Sequence, residues 1–250
     1  MFNLRENIAK IIKYIFILIF IFIPQSKAHA DNYKLVLSFG FIKQTVYQIN
    51  TTYTENNNNY EINFKLLSTD GISSFISEEI EGIGFSSGRI INDKHIPIKY
   101  QYIESKDNSQ KEYYVDFNNN NIAIGNRIPS YDKTKLTPIN DDMLVNVIDP
   151  ALAFIKLSKF SNLNNCDKNI LIYDAKRRFD LTISNLEKNG NRIQCLIKSK
   201  KIGGYKRKEG VNPLELPYEM IIEFENMNSN YKLLSISGEN KYFKLSIIPL

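Results

Sequence analysis

The segment Gly84-Phe85-Ser86-Ser87-Gly88 has the G-x-S-x-G spacing in which a serine can be held out as an acyl-transfer nucleophile. That chemistry needs a strand before the serine, a helix after it, and an acid and then a histidine much further along the chain. Here residues 89–94 read as strand and turn, and the one histidine of residues 31–250, His95, follows Ser86 by only nine positions. The surroundings therefore disfavour an esterase built on Ser86. His95 and the scattered Asp and Glu residues show no ligand spacing for a tight transition-metal site, and no cofactor is expected. The pairs Glu78-Glu79 and Asp141-Asp142 are adjacent in sequence, so their carboxylates diverge, and the second pair suits a helix start. Gly203-Gly204 lacks the phosphate-loop pattern and reads as a bulge or turn.

Two basic groups remain. Lys176-Arg177-Arg178 falls at a hairpin tip, and Lys198, Lys200 and Lys201 precede Lys206, Arg207 and Lys208. Lysines on a sheet edge discourage strand-to-strand aggregation, whereas near an anionic surface each cation contributes about 1 kcal/mol. Lys176, Arg177, Arg178, Lys206 and Arg207 are the candidate contacts to an anion or a partner; equally, Arg177 and Arg178 can pair with Asp174 and Asp180 and fix the hairpin. Residues 31–250 carry 28 Lys/Arg against 26 Asp/Glu, a net +2. So small an excess gives no reason to expect nucleic acid.

Residues 1–30 read as a cleaved secretory signal: Arg5, Lys10 and Lys13 precede an apolar run over 14–23, and Ala28-His29-Ala30 offers an A-x-A cleavage site. The run is too short to span a bilayer, and no later stretch approaches a span, so no integral membrane segment is expected after cleavage. Export matters for Cys166 and Cys195, which are 29 residues apart and the chain's only cysteines. In an oxidising compartment they favour one disulfide, for which the loop-entropy model gives about 3.5 kcal/mol.

The elements that position these residues are mostly strands. Period-two alternation marks 33–38, 41–50, 60–67, 95–104, 112–117 and 121–125, then 169–174, 178–185, 192–202, 218–224, 231–237 and 242–247. Asparagine-rich breaks at 56–59 and 118–121 supply turn residues that tolerate positive φ. A helix or loop is expected over 71–81, and a helical insertion near 141–160, with Asp149 capping and Pro150 at the first position. The fold class is mainly β: a large curved antiparallel sheet or incomplete barrel of about a dozen strands with one or two inserted helices. Residues 31–250 then form a single β-rich domain. Phe154, Ile155, Leu157 and Phe160 stand ready either to line a cavity inside the curve or to pack as core.

Several motifs occur in a familiar order: Ile148-Asp149-Pro150-Ala151-Leu152-Ala153-Phe154, then Cys166-Asp167-Lys168, then Tyr173-Asp174-Ala175-Lys176-Arg177-Arg178-Phe179-Asp180-Leu181. With Cys195, the segment Ile202-Gly203-Gly204-Tyr205-Lys206-Arg207, and Gly88, Pro97 and Tyr100 earlier, the chain resembles the exported bacterial domain-of-unknown-function 3108 family. The resemblance implies an exported β-rich envelope protein and no particular activity. The architecture is also similar to the periplasmic lipoprotein carriers, whose helix-closed curved sheets shelter acyl chains. The expected function is accordingly non-enzymatic and periplasmic, binding a lipid or lipid-linked component. The alternative is an interaction scaffold of the envelope with a filled core.

Overall fold

A computed structural model of the chain describes residues 27–39, 42–69, 80–106, 108–118, 121–159, 166–206, 218–227, 230–241 and 243–250. The strands are β1 (Lys27–Phe39), β2 (Ile42–Asn56), β3 (Asn59–Ser68), β4 (Ile80–Ile91), β5 (Lys94–Lys106), β6 (Ser109–Phe117) and β7 (Ala123–Ile128), followed after the helical insertion by β8 (Lys168–Tyr173), β9 (Arg178–Asn189), β10 (Arg192–Gly203), β11 (Glu219–Met227), β12 (Asn230–Glu239) and β13 (Lys244–Pro249). All belong to one antiparallel sheet in the order β7-β6-β5-β4-β3-β2-β1-β13-β12-β11-β10-β9-β8, curled until it nearly closes as a barrel. β1 starts four residues ahead of the expected cleavage point, and 27–30 pair with 52–55 of β2.

Turn chemistry explains the tight hairpins. Asn57-Asn58 and Asn92-Asp93 all have positive φ, as a two-residue hairpin turn requires when its backbone twist is to match that of the strands. β4 is less legible. The helix or loop expected over 71–81 falls mainly outside the described residues, and Ile80 and Glu81 open β4. The sequence pattern marks only the outer end of this strand, because its inward residues are Gly82, Gly84, Ser86 and Gly88. These small residues lie under the rings of neighbouring strands: a Cβ on Gly84 would overlap Phe64, and one on Gly82 would meet Tyr102.

The expected helix forms as α1 (Pro150–Ser158), with the Asp149 side chain accepting from Leu152 N–H at 2.9 Å. Short 3-10 turns at Lys133–Lys135 and Asp141–Leu144 precede it. Apart from Lys156 and Ser158 the helix is apolar all round, and such a helix has to be enclosed. Ala153 and Leu157 join Ile193, Ile197, Ile222 and Phe224 of one wall. Ala151, Leu152 and Ile155 join Ile62, Tyr100 and Val115 of the other. α1 therefore plugs the lumen. Of the two roles open to these residues, Ile155 and Leu157 take the core one, and Phe154 packs edge-on against Tyr33 with ring centroids 5.0 Å apart. Phe160 lies outside the described residues.

Both ends of the plug are tied to the wall. Before it, Ile148 bridges Ile172 of β8, donating to Leu171 O at 2.8 Å and accepting from Tyr173 N–H at 3.0 Å. After it, Cys166 is disulfide-bonded to Cys195 of β10, with Cα atoms 6.0 Å apart. The segment 145–148 thus fills the gap between β7 and β8, since Val145 also bridges Ile122. No described helix is long and apolar enough to cross a membrane.

Candidate functional site

Three polar groupings inside the barrel have the makings of a site. The first surrounds Ser86. It sits mid-strand in β4, fully buried, and donates from Oγ to Asp149 Oδ2 at 2.8 Å. A nucleophile elbow places its serine at an exposed strand-to-helix turn, so this geometry serves the cap of α1. Burial pushes the Asp149 carboxyl up to about 6, against the Leu152 N–H and the Ser86 hydroxyl, which pull it down. Tyr60 and Tyr100 are buried nearby, and both phenols are raised, first by burial and then by the Asp149 charge.

The second grouping lies at the far end of α1. Tyr53 donates to Glu55, and its hydroxyl is 2.8 Å from His95 Nε2. Lys159 lies over the Tyr53 ring at 4.4 Å and 3.9 Å from Asp31. Burial and the Lys156 charge lower the His95 pKa, against the opposing pull of Glu55.

The third grouping is cationic and lies at the seam where β7 and β8 approach. At the β8–β9 tip, Asp174 Oδ1 accepts from the backbone N–H groups of Lys176 and Arg177 at 3.0 and 2.6 Å, and Oδ2 accepts from Arg177 Nε at 2.8 Å. The same carboxylate thus folds the tip and orients the arginine, whose side chain is still 52% exposed. Ala175 at φ 73 completes the turn, and its carbonyl accepts from Tyr173 and Tyr131 hydroxyls at 3.1 and 3.4 Å. Gly204, at φ 81, packs directly on the Lys176 carbonyl, a place with no room for a side chain. This explains the Gly203-Gly204 pair: it brings the end of β10, with Tyr205 and exposed Lys206, beside the tip.

From the other side of the seam Arg127 of β7 points the same way. Its guanidinium lies 5.5 Å from the Tyr113 ring centre and 5.7 Å from that of Tyr131, while Lys176 Nζ lies 5.9 Å from Tyr131. Tyr131 is held between two cations, an arrangement favoured by the ring quadrupole. The Lys176 pKa is lowered, first by burial and then by Arg177 and Arg127, with Asp174 opposing and Lys206 adding to the effect. Among the described residues, four cations therefore crowd one rim around the Asp174 carboxylate. An anion seated there relieves the like-charge repulsion.

The structure keeps Lys176, Arg177 and Lys206 of the expected contacts together and removes one. Arg178 is 4% exposed; its Nε donates to Met143 O at 2.8 Å, and Nη1 donates to Phe179 O and Asp180. It is a latch between β9 and the 141–144 turn, because alternation on β9 sends neighbouring side chains to opposite faces. Arg207 lies outside the described residues. Arg127, Tyr113 and Tyr131 escaped the sequence reading, although β7 carried a signal: Ala123, Gly125 and Arg127 share its inward face, and an arginine among small inward residues is the anomaly. An open groove of about 640 Å³ elsewhere on the wall is lined by Glu187, Glu223 and Glu225 together with Arg192, which lies 3.4 Å from Glu223.

No family model, curated protein or solved structure matches the chain.

Proposed function

We propose that the protein is a periplasmic binding protein, not a catalyst, that holds an anionic component of the cell envelope at its cationic mouth. The observation that carries this reading is the convergence of Arg127, Lys176, Arg177 and Lys206 on one rim with Asp174 as the carboxylate among them. The disulfide and the expected export signal favour that location. The plug favours engagement at the rim over shelter deep in the lumen, where α1 occupies the space between the two walls. Burial of Ser86 against Asp149 supports binding over ester hydrolysis.

Co-sedimentation with vesicles tests the proposal. The purified chain is expected to pellet with phosphatidylglycerol vesicles and not with phosphatidylcholine vesicles, with binding falling as salt is raised. Replacing Lys176 and Arg177 together by Glu should abolish it. Equal retention on both vesicle types, or an unchanged double variant, overturns the proposal.

A further inference from the structure

The register of the sheet lines up one inward row across five strands. Phe64 of β3 pairs with Gly84 of β4, Gly84 with Tyr102 of β5, Tyr102 with Tyr113 of β6, and Tyr113 with Arg127 of β7. The neighbouring row, Ile62, Ser86, Tyr100, Val115 and Gly125, is the layer that faces the plug. Two residues along each strand separate the rows by about 7 Å, so the aromatic row is one step nearer the mouth. Phe64, Tyr102 and Tyr113 are accordingly half-buried where Ile62, Tyr100 and Val115 are buried.

The missing side chain in this row is what shapes it. Because Gly84 has no Cβ, the Phe64 ring fills the space a side chain would take there, and Gly82 leaves the same room for Tyr102. The rings are near-parallel neighbours: Phe64 and Tyr102 have centroids 5.8 Å apart at 19°, and Tyr102 and Tyr113 have centroids 5.8 Å apart at 28°. The result is a continuous apolar pavement that runs into the cations. Among the described residues, Glu104 is the carboxylate beside Tyr102, and it is engaged by Lys111 Nζ at 2.6 Å.

We propose that this row and the rim form one site for a single-chain anionic amphiphile, its acyl chain lying along Phe64, Tyr102 and Tyr113 and its carboxylate held by Arg127 and Lys176. Charge complementarity fixes the orientation: apolar surface at one end, cations at the other, and no cation opposite Phe64 in the row. Four strand spacings separate Phe64 from Arg127, roughly 19 Å, which suits a medium-length extended acyl chain. The inference rests on the anion-binding reading of the mouth and adds the class of ligand.

The chain contains no tryptophan, so Tyr113→Trp places a lone indole in the row. Laurate is expected to shift its emission saturably, binding at least about tenfold tighter than either acetate or dodecanol, with Lys176→Glu losing about tenfold of that affinity. Native mass spectrometry of the unsubstituted chain keeps the question decidable if the variant does not fold, and should show one laurate per chain. Laurate binding no tighter than acetate, dodecanol binding as well as laurate, or no laurate adduct overturns the site. So does selective uptake of a diacyl phospholipid in place of one acyl chain. Retention on phosphatidylglycerol vesicles without laurate uptake sinks the amphiphile site alone; loss of both sinks the anion-binding mouth as well.

Discussion

Asp149 does two things that pull against each other. As the cap of α1 it accepts hydrogen bonds from Leu152 N–H and the Ser86 hydroxyl, and both favour the carboxylate. Its complete burial favours the acid, and burial wins, raising the group from 3.8 to about 6. A folded-state pKa above the unfolded one means that its contribution is full below about pH 4 and is lost as pH rises through about 6, a change of roughly 2–3 kcal/mol. Asp149→Asn keeps a competent cap and cannot ionise, so the difference in unfolding free energy between it and the parent should vary with pH across that window. At neutral pH it should be at least as stable as the parent, whereas Asp149→Ala should lose about 2–3 kcal/mol through the lost cap and the stranded Ser86 hydroxyl. Urea titrations across that pH range check this; a pH-independent difference for Asp149→Asn refutes it. The cap was legible from an Asp-Pro pair ahead of an apolar run. The titration was not, because Ser86 is 63 residues away in sequence and only the packed sheet brings it there.

Among the elements, α1 is the one that every other element has to accommodate. Its start is fixed by the Ile148 bridge and its exit by the Cys166–Cys195 bond, so the plug hangs between two tethers. Replacing both cysteines by serine should cost about 3.5 kcal/mol on the loop-entropy account and release the exit while leaving the start attached. Hydrogen exchange should then quicken in the last turn of α1 before Leu152 is affected. Uniform acceleration along the helix would show that the bond tethers the whole barrel and not the plug. The sequence announced this helix clearly and concealed β4, for related reasons. A helix signal is carried by large side chains at regular spacing, and α1 has them. β4 faces that helix and the rings beside it, so its inward positions are small, and a strand whose buried face is glycine and serine offers no alternation to read. The arginine of β7 was hidden similarly, since its meaning depends on Tyr113 across the strand pair and on a hairpin tip some fifty residues later in the chain.

For the molecule as a whole, the cationic mouth straddles a join. Arg127 belongs to β7 and Lys176 follows β8, and these are the two strands that no direct ladder connects. Gly125 lies against the Tyr173 ring at this seam, where an added Cβ would collide with the phenol. Gly125→Val should therefore part the two edges, speed proteolytic cleavage within residues 129–149 and weaken anion binding, although no charged residue is changed. Unaltered proteolysis and binding would show that the seam is held elsewhere. The order of strands carries a further consequence. Every ladder but one joins strands consecutive in the chain; the exception is β1 with β13, running from Tyr33↔Pro249 to Ser38↔Lys244. In its ladders the sheet is thus two meanders of local hairpins joined by one long-range zipper. Each meander needs only local hairpins and so assembles fast, whereas the zipper closes a loop of more than two hundred residues. Folding of this chain is then governed by a late handshake between its two halves, and mutations in that zipper should slow folding while those in the hairpins mainly hasten unfolding.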